Sequence, residues 1–173
     1  MEKFIVDGPA KLIGHVTIAG AKNVALKALV ASLLTDEALI IKNIPHIRDV
    51  HLMLEVLGHL GKHSSRTGST VTITKNSSHT CTVPLEVGAR LRASSMVLGP
   101  RWSRYGKAVI PNPGGCRIGA RPIDRHIDGL KAMGASISYA SDDGYFHAEA
   151  KKLRGAEIIF EKNTQENQFP HSF

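Results

Sequence analysis

"LGHLGK", Leu57 to Lys62, and "LKAMGA", Leu130 to Ala135, are two versions of one short text. In each, a leucine belongs to the last turns of an apolar run with helical spacing. A glycine four places later stops that run, as glycine does just past a helix C-terminus. Gly61 and Gly134 are 73 positions apart (134 minus 61). A period of that size predicts a repeated unit of mixed secondary structure.

Working outward from Gly61, Val50 to Leu60 reads as the helix that this glycine stops. Upstream, "ALIIK" (Ala38–Lys42) reads as a strand closed by Asn43 and Pro45, and Asn23 to Leu34 as a small-residue, aliphatic helix. Downstream, two short strands flank Thr67–Ser69, the second being "TVTIT" from Thr70. The same order returns around Gly134. Val87 to Leu98 is a helix candidate, Lys107 to Ile110 a strand ended by Pro111, and Ile123 to Met133 the helix that Gly134 stops. A hairpin from Ser136 to Glu149 then turns across Asp142-Asp143-Gly144. A third copy starts at "LRGAEIIFEK" (Leu153–Lys162), which is similar to "LIGHVTIAGA" (Leu12–Ala21). It does not continue into an aliphatic helix. "NTQENQFPHSF" follows, a tail with little to bury, and it is expected to be disordered and to mark a truncation within the third unit.

The totals are those of an ordinary globular chain: 173 residues, 42% hydrophobic and 21% charged. Aromatics make up only 5%, so aliphatic side chains must do most of the packing. A net charge of +7 suits an anionic partner without separating nucleic acid from a phosphorylated metabolite. No apolar run reaches the roughly 18 residues that would span a bilayer, and the first residues carry no signal-peptide stretch. With two cysteines and no export signal, a cytoplasmic protein with free thiols is expected.

One cysteine stands in an unusual place. In "NPGGCRIGARP" (Asn112–Pro122), Cys116 lies among Gly114, Gly115 and Gly119, beside Arg117 and Arg121, just ahead of a helix starting near Pro122-Ile123. Such glycines let backbone N–H groups converge on an anion, and arginine with a helix N-terminus favours the same charge. A thiol there should be reactive. Cys81, in "TCTVP", reads instead as a core or strand cysteine. Lys22-Asn23 opens a helix, where a lysine opposes the helix dipole and so hints at ligand binding. Arg90 and Arg92 are read as lying on different faces of one helix. "RWSRYGK" (Arg101–Lys107) interleaves rings with cations, as single-stranded nucleic-acid binders do, but it stands alone and nucleic-acid binding is not the expected function. No zinc spacing, Walker sequence or G-x-G-x-x-G occurs, so neither metal nor cofactor is expected.

"GAKNVALKALVASLL" (Gly20–Leu34), "LRASSMVLGP" (Leu91–Pro100) and "NPGGCRIGARPIDRHIDGLKAMGA" (Asn112–Ala135), in that order, resemble the N-terminal portion of the UDP-N-acetylglucosamine enolpyruvyl transferases. The resemblance runs from Met1 to about Lys162. It implies an α/β (α+β) fold of repeated βαβαββ units, the inside-out barrel of that family, with the active site between two globules. Residues 1–20 would be strands that pack on the second globule, residues 21–162 an incomplete transferase domain with two full units, and residues 163–173 a divergent tail. The implied reaction moves the enolpyruvyl group of phosphoenolpyruvate to the 3-hydroxyl of UDP-N-acetylglucosamine with release of phosphate, the first committed step of peptidoglycan synthesis in the bacterial cytoplasm.

By matching motif, Cys116 corresponds to the catalytic cysteine, a proton donor that can form an adduct with phosphoenolpyruvate. Lys22 and Asn23 correspond to phosphoenolpyruvate contacts. Arg92, Arg121, Pro122, Ile123, Asp124 and Arg125 correspond to the UDP-N-acetylglucosamine site. The cysteine loop is similar to the UDP-sugar branch rather than the shikimate branch of these enzymes. Two departures stand out: "GPRWSRYG" where the family is aliphatic, and "QENQFPHSF" where it has a glycine turn and a long helix. Family members are at least about twice this length, and the other half carries the carboxylate that takes the sugar proton. The chain alone is therefore expected to be inactive. A UDP-sugar-binding or regulatory fragment, and a basic nucleic-acid-binding domain, are the alternatives.

Overall fold

The computed structural model describes residues 3–9, 11–76, 80–114, 123–150 and 152–159. Two units of the same order follow one another. The first comprises α1 (Lys22–Ala31), β1 (Leu39–Ile41), α2 (Arg48–His59), β2 (Lys62–Thr67) and β3 (Thr70–Lys75). The second comprises α3 (Leu85–Gly88), α4 (Leu98–Tyr105), β4 (Lys107–Pro111), α5 (Asp124–Ala132), β5 (Ser136–Ala140) and β6 (Tyr145–Glu149). Each unit has a three-stranded antiparallel sheet with its last strand in the centre, β1-β3-β2 and β4-β6-β5. Gly61 and Gly134 occupy matching positions after α2 and α5, both at positive φ (86° and 99°). The mixed α/β repeat read from the glycine spacing is therefore present in the fold.

The amphipathic helices explain the layering. Leu26, Leu29 and Leu33, from α1 and the 3-10 turn Ser32–Leu34 behind it, pack with Val50, Met53, Val56 and Leu57 of α2 and with Val71 and Ile73 of β3. Val97, Leu98, Trp102, Ala108, Ile110 and Ala148 extend the same core into the second unit. Aliphatic side chains supply nearly all of it.

Three details bear on the sequence reading. The run Val87–Leu98 is not one helix: α3 stops at Gly88, a 3-10 turn covers Arg92–Val97, and α4 begins at Leu98. Ser94 Oγ donates to the Gly88 carbonyl at 2.9 Å, and Ser95 Oγ to that of Arg92 at 3.1 Å. Serines that bond nearby carbonyls in this way compete with a regular helix. Gly88 also presses on Pro111, whose side chain would lie 2.4 Å from any added Cβ. Arg90 and Arg92 consequently flank a break instead of sharing a helix.

Second, Cys81 lies in a short parallel pairing with β4. Val109 N–H donates to the Cys81 carbonyl (2.8 Å), and Val83 N–H to that of Val109 (2.9 Å). This bridge agrees with the strand reading of Cys81. Third, residues 11–20, the matching stretch of the first unit, form no strand among the described residues. Their apolar side chains face water, with Leu12 93% exposed, as does Phe4 at 100%. Tail residues 160–173 lie outside the described residues.

The run Arg101–Tyr105 forms most of α4, which ends at Gly106 in a left-handed conformation (φ 69°). Arg101 and Trp102 are buried, at 2% and 3% exposure. Side chains sealed in the core cannot stack on bases. Burial therefore takes Arg101 and Trp102 out of any nucleic-acid surface, whereas Ser103 and Lys107 stay exposed. Arg104 instead joins an ion network at the edge of the first unit, 2.7 Å from Asp36, which also pairs with Lys75 at 2.9 Å. These two cations hold the Asp36 carboxyl down at about 2. Lys62 Nζ donates to the Thr35 carbonyl beside them, and its pKa is lowered, first by burial and then by Arg104.

Candidate functional site

Lys22 is the first residue of α1, after Ala21 in extended conformation. That terminus has neither a side-chain cap nor an acidic residue in its first turn. The compensation comes from another element. Asp49, in the first turn of α2, forms an ion pair with Lys22 Nζ at 3.1 Å. An aspartate suits its own helix start by the dipole rule, and it neutralises a lysine that does not suit its position. Asn23 stands exposed beside Lys22. The turn before α1 is pinned where Gly20 N–H donates to Asn43 Oδ1 at 3.2 Å. A Cβ at Gly20 would lie 1.9 Å from the Asn43 carbonyl oxygen, so only glycine fits there.

α1 also packs against the 3-10 turn that Arg92 begins. Arg92 is half-buried in that turn. Arg90, two residues earlier, is exposed and reaches Glu55 of α2 at 3.8 Å. Lys22, Asp49 and Arg92 thus belong to three elements that pack on one another.

The cysteine loop leaves from β4 close to the same turn. Asn112 N–H donates to the Gly144 carbonyl at 3.0 Å. A Cβ at Gly114 would lie 1.5 Å from the Ala89 carbonyl oxygen. This backbone-to-backbone contact fixes the start of the loop against the residue that precedes Arg90. Its far side rejoins the described chain at Ile123, which is buried at the head of α5. Asp124 is exposed in the first turn of α5, and Arg125 is half-buried in that turn. Cys116, Arg121 and Pro122 lie outside the described residues.

Of the expected site residues, Lys22 and Asn23 therefore lie on a helix that packs on the turn Arg92 begins, and both ends of the cysteine loop are anchored in buried or closely packed backbone. Asp49 was not among the expected residues. The sequence signal for it is slight: one acidic residue, directly after Arg48, where a helix follows Pro45. No group of three metal-ligating side chains occurs among the described residues, and no described helix is long and apolar enough to cross a membrane.

Comparison with known proteins adds names to this arrangement. The chain is 42% identical over 165 residues to UDP-N-acetylglucosamine 1-carboxyvinyltransferase of Acinetobacter guillouiae, covering 95% of this chain and 39% of that protein. It is 44% identical over 158 residues to UDP-N-acetylglucosamine 1-carboxyvinyltransferase 1 of Carboxydothermus hydrogenoformans, covering 91% and 37%. The chain thus spans well under half the length of these relatives. Among solved structures, the enolpyruvyl transferase NikO from Streptomyces tendae superposes with a TM-score of 0.70 at 22% identity, covering 84% of this chain and 32% of that one. EPSP synthase from Acinetobacter baumannii gives 0.68 at 16% identity, covering 91% and 37%. At such identities the likeness shows a shared fold. The profile of the EPSP synthase family (3-phosphoshikimate 1-carboxyvinyltransferase) matches residues 6–168, nearly the whole chain, and the chain belongs to that family.

Proposed function

We propose that this chain is the N-terminal portion of a UDP-N-acetylglucosamine enolpyruvyl transferase and forms one wall of its active site. The observation that carries this reading is 42–44% identity, across 91–95% of the chain, to proteins of that name. The substrates are phosphoenolpyruvate and UDP-N-acetylglucosamine, and the reaction belongs to peptidoglycan synthesis in the cytoplasm.

The chemistry follows from the residue types. A proton added to C3 of phosphoenolpyruvate leaves C2 electron-poor, and the sugar 3-hydroxyl adds there as it gives up its proton. Loss of a proton from C3 and departure of phosphate then restore the double bond in the product. Cys116 is the proton donor in this scheme, and its thiolate competes with the hydroxyl for C2 when an adduct forms. Lys22 and Asn23 hold phosphoenolpyruvate. Arg92, Arg121, Pro122, Ile123, Asp124 and Arg125 hold the nucleotide sugar, with fixed positive charge meeting negative charge on both substrates.

The 173-residue polypeptide on its own binds but does not turn over. It spans only 37–39% of the relatives' length, and in the resembling family the opposite wall supplies the base for the sugar hydroxyl. That coverage favours, as a second reading, a UDP-sugar-binding fragment without catalysis. Calorimetric titration with UDP-N-acetylglucosamine tests both: saturable binding is expected, and an Arg121→Ala variant should lose it. Equal binding by the variant, or none by the parent chain, would sink the assignment of that site. Phosphate release by the isolated chain should stay at background, and turnover at a full enzyme's rate would refute the one-wall reading.

A further inference from the structure

Lys22 and Asp49 come from the first turns of two different helices, and their charged atoms lie 3.1 Å apart. Nothing local to α1 offers the lysine a counter-charge, since its first turn holds no acid. Asp49 is therefore the group that offsets an ammonium set against the helix dipole. The pair remains open to solvent, with 54% of the Lys22 side chain and 36% of the Asp49 side chain exposed. A ligand can reach it without unfolding anything. An exposed pair is also weak enough to exchange partners.

We propose that Asp49 is the resting counter-ion of Lys22. It holds the ammonium at the adjoining starts of α1 and α2 in the ligand-free chain and yields it to an incoming phosphoryl or carboxylate group. Asp49 touches no substrate in this scheme. It is a positioning residue that sets where Lys22 waits and what the anion must displace. The role of the anion rests on the proposed function above, whereas the pairing itself does not.

The test uses the whole 173-residue chain with its lysines carbon-13 dimethylated, and the Lys22 signal assigned from a Lys22→Arg variant. Inorganic phosphate is the probe, titrated at constant ionic strength against chloride. In the parent chain the Lys22 signal should be displaced from the position of a free lysine. It should return there in Asp49→Asn and recover in Asp49→Glu. Phosphate should move it saturably, and Asp49→Asn should bind phosphate about two- to five-fold more tightly, the range in which exposed pairs fall. That gain should vanish when Asp49→Asn is combined with Lys22→Ala. An unchanged Lys22 signal in Asp49→Asn overturns the counter-ion assignment, whatever phosphate does. The same gain in the Lys22→Ala background overturns it too, because the effect would then be a diffuse field. A displaced Lys22 signal with no response to phosphate in any variant overturns instead the handover to an anion, and with it the reading of Lys22 as an anion contact.

Discussion

Replacing Arg101 with methionine should make the chain more stable. The guanidinium is buried at 2% exposure, and its Nε and Nη2 have no hydrogen-bond partner among the described residues. Its guanidinium carbon does lie 4.6 Å from the Tyr105 ring, a favourable contact. Lys62 and Arg104 lie in the same neighbourhood, and Arg101 helps to lower the Lys62 pKa. Each unsatisfied buried donor costs about 1–3 kcal/mol. Against roughly 2–6 kcal/mol for two such groups stands the ring contact, about 1–2 kcal/mol when desolvated. Methionine keeps an unbranched apolar stem of similar reach, so repacking should cost less than about 1.5 kcal/mol. At the middle of these ranges the balance favours the variant by about 1–2.5 kcal/mol. Urea unfolding followed by far-UV circular dichroism measures it directly: a higher midpoint with an unchanged slope is the signature of added stability. Because a like charge is removed, the Lys62 pKa should also move back towards that of a free lysine. A midpoint that falls, with the slope unchanged, would refute the view of Arg101 as an unsatisfied buried charge.

Two further predictions concern other places. Gly114→Ala would set a methyl group 1.5 Å from the Ala89 carbonyl oxygen, so the start of the cysteine loop must shift. Iodoacetamide labelling of Cys116 should change in rate while Cys81 labels as before, and identical Cys116 kinetics would show that this contact does not position the loop. Asp36 has its carboxyl held at about 2 in the folded chain against 3.8 when free, chiefly by Arg104 and then by Lys75. A depressed acid lends stability that is fully present above 3.8 and lost as pH falls towards 2, where the folded state must also be protonated. Asp36→Asn should therefore flatten the acid limb of the stability profile in that window, and an unaltered acid limb would argue against the network.

The repeat was legible because its signal is local. A glycine that ends a helix in a left-handed turn is needed twice, and Gly61 and Gly134 report it without any knowledge of tertiary contacts. The succession of helices and strands along the chain followed from the same regularity. The break between Gly88 and Arg92 was not legible. The apolar spacing of Val87–Leu98 is helical, and what interrupts it is Pro111, distant in sequence, together with a serine that bonds the Gly88 carbonyl. Lys22 drew notice because it opposes its helix, but its partner lies 27 residues away on another element. A lone carboxylate carries no pattern that would single out Asp49. Arg101 stands in a stretch where the resembling family is aliphatic, and the structure buries it all the same because Trp102 and Leu98 carry α4 into the core.

The stretch before Lys22 has a consequence for handling the protein. Phe4, Ile5, Val6, Leu12, Ile13, Val16 and Ile18 all project into water, and among the described residues this run is fastened only where Gly20 meets Asn43. An extended, accessible backbone is what trypsin requires, and Lys3 and Lys11 supply its cleavage points. Digestion should thus trim the chain from this side while the packed unit from α1 to β3 resists. The same run is sticky as well as cleavable, so the solubility of a preparation will depend on how much of it survives purification.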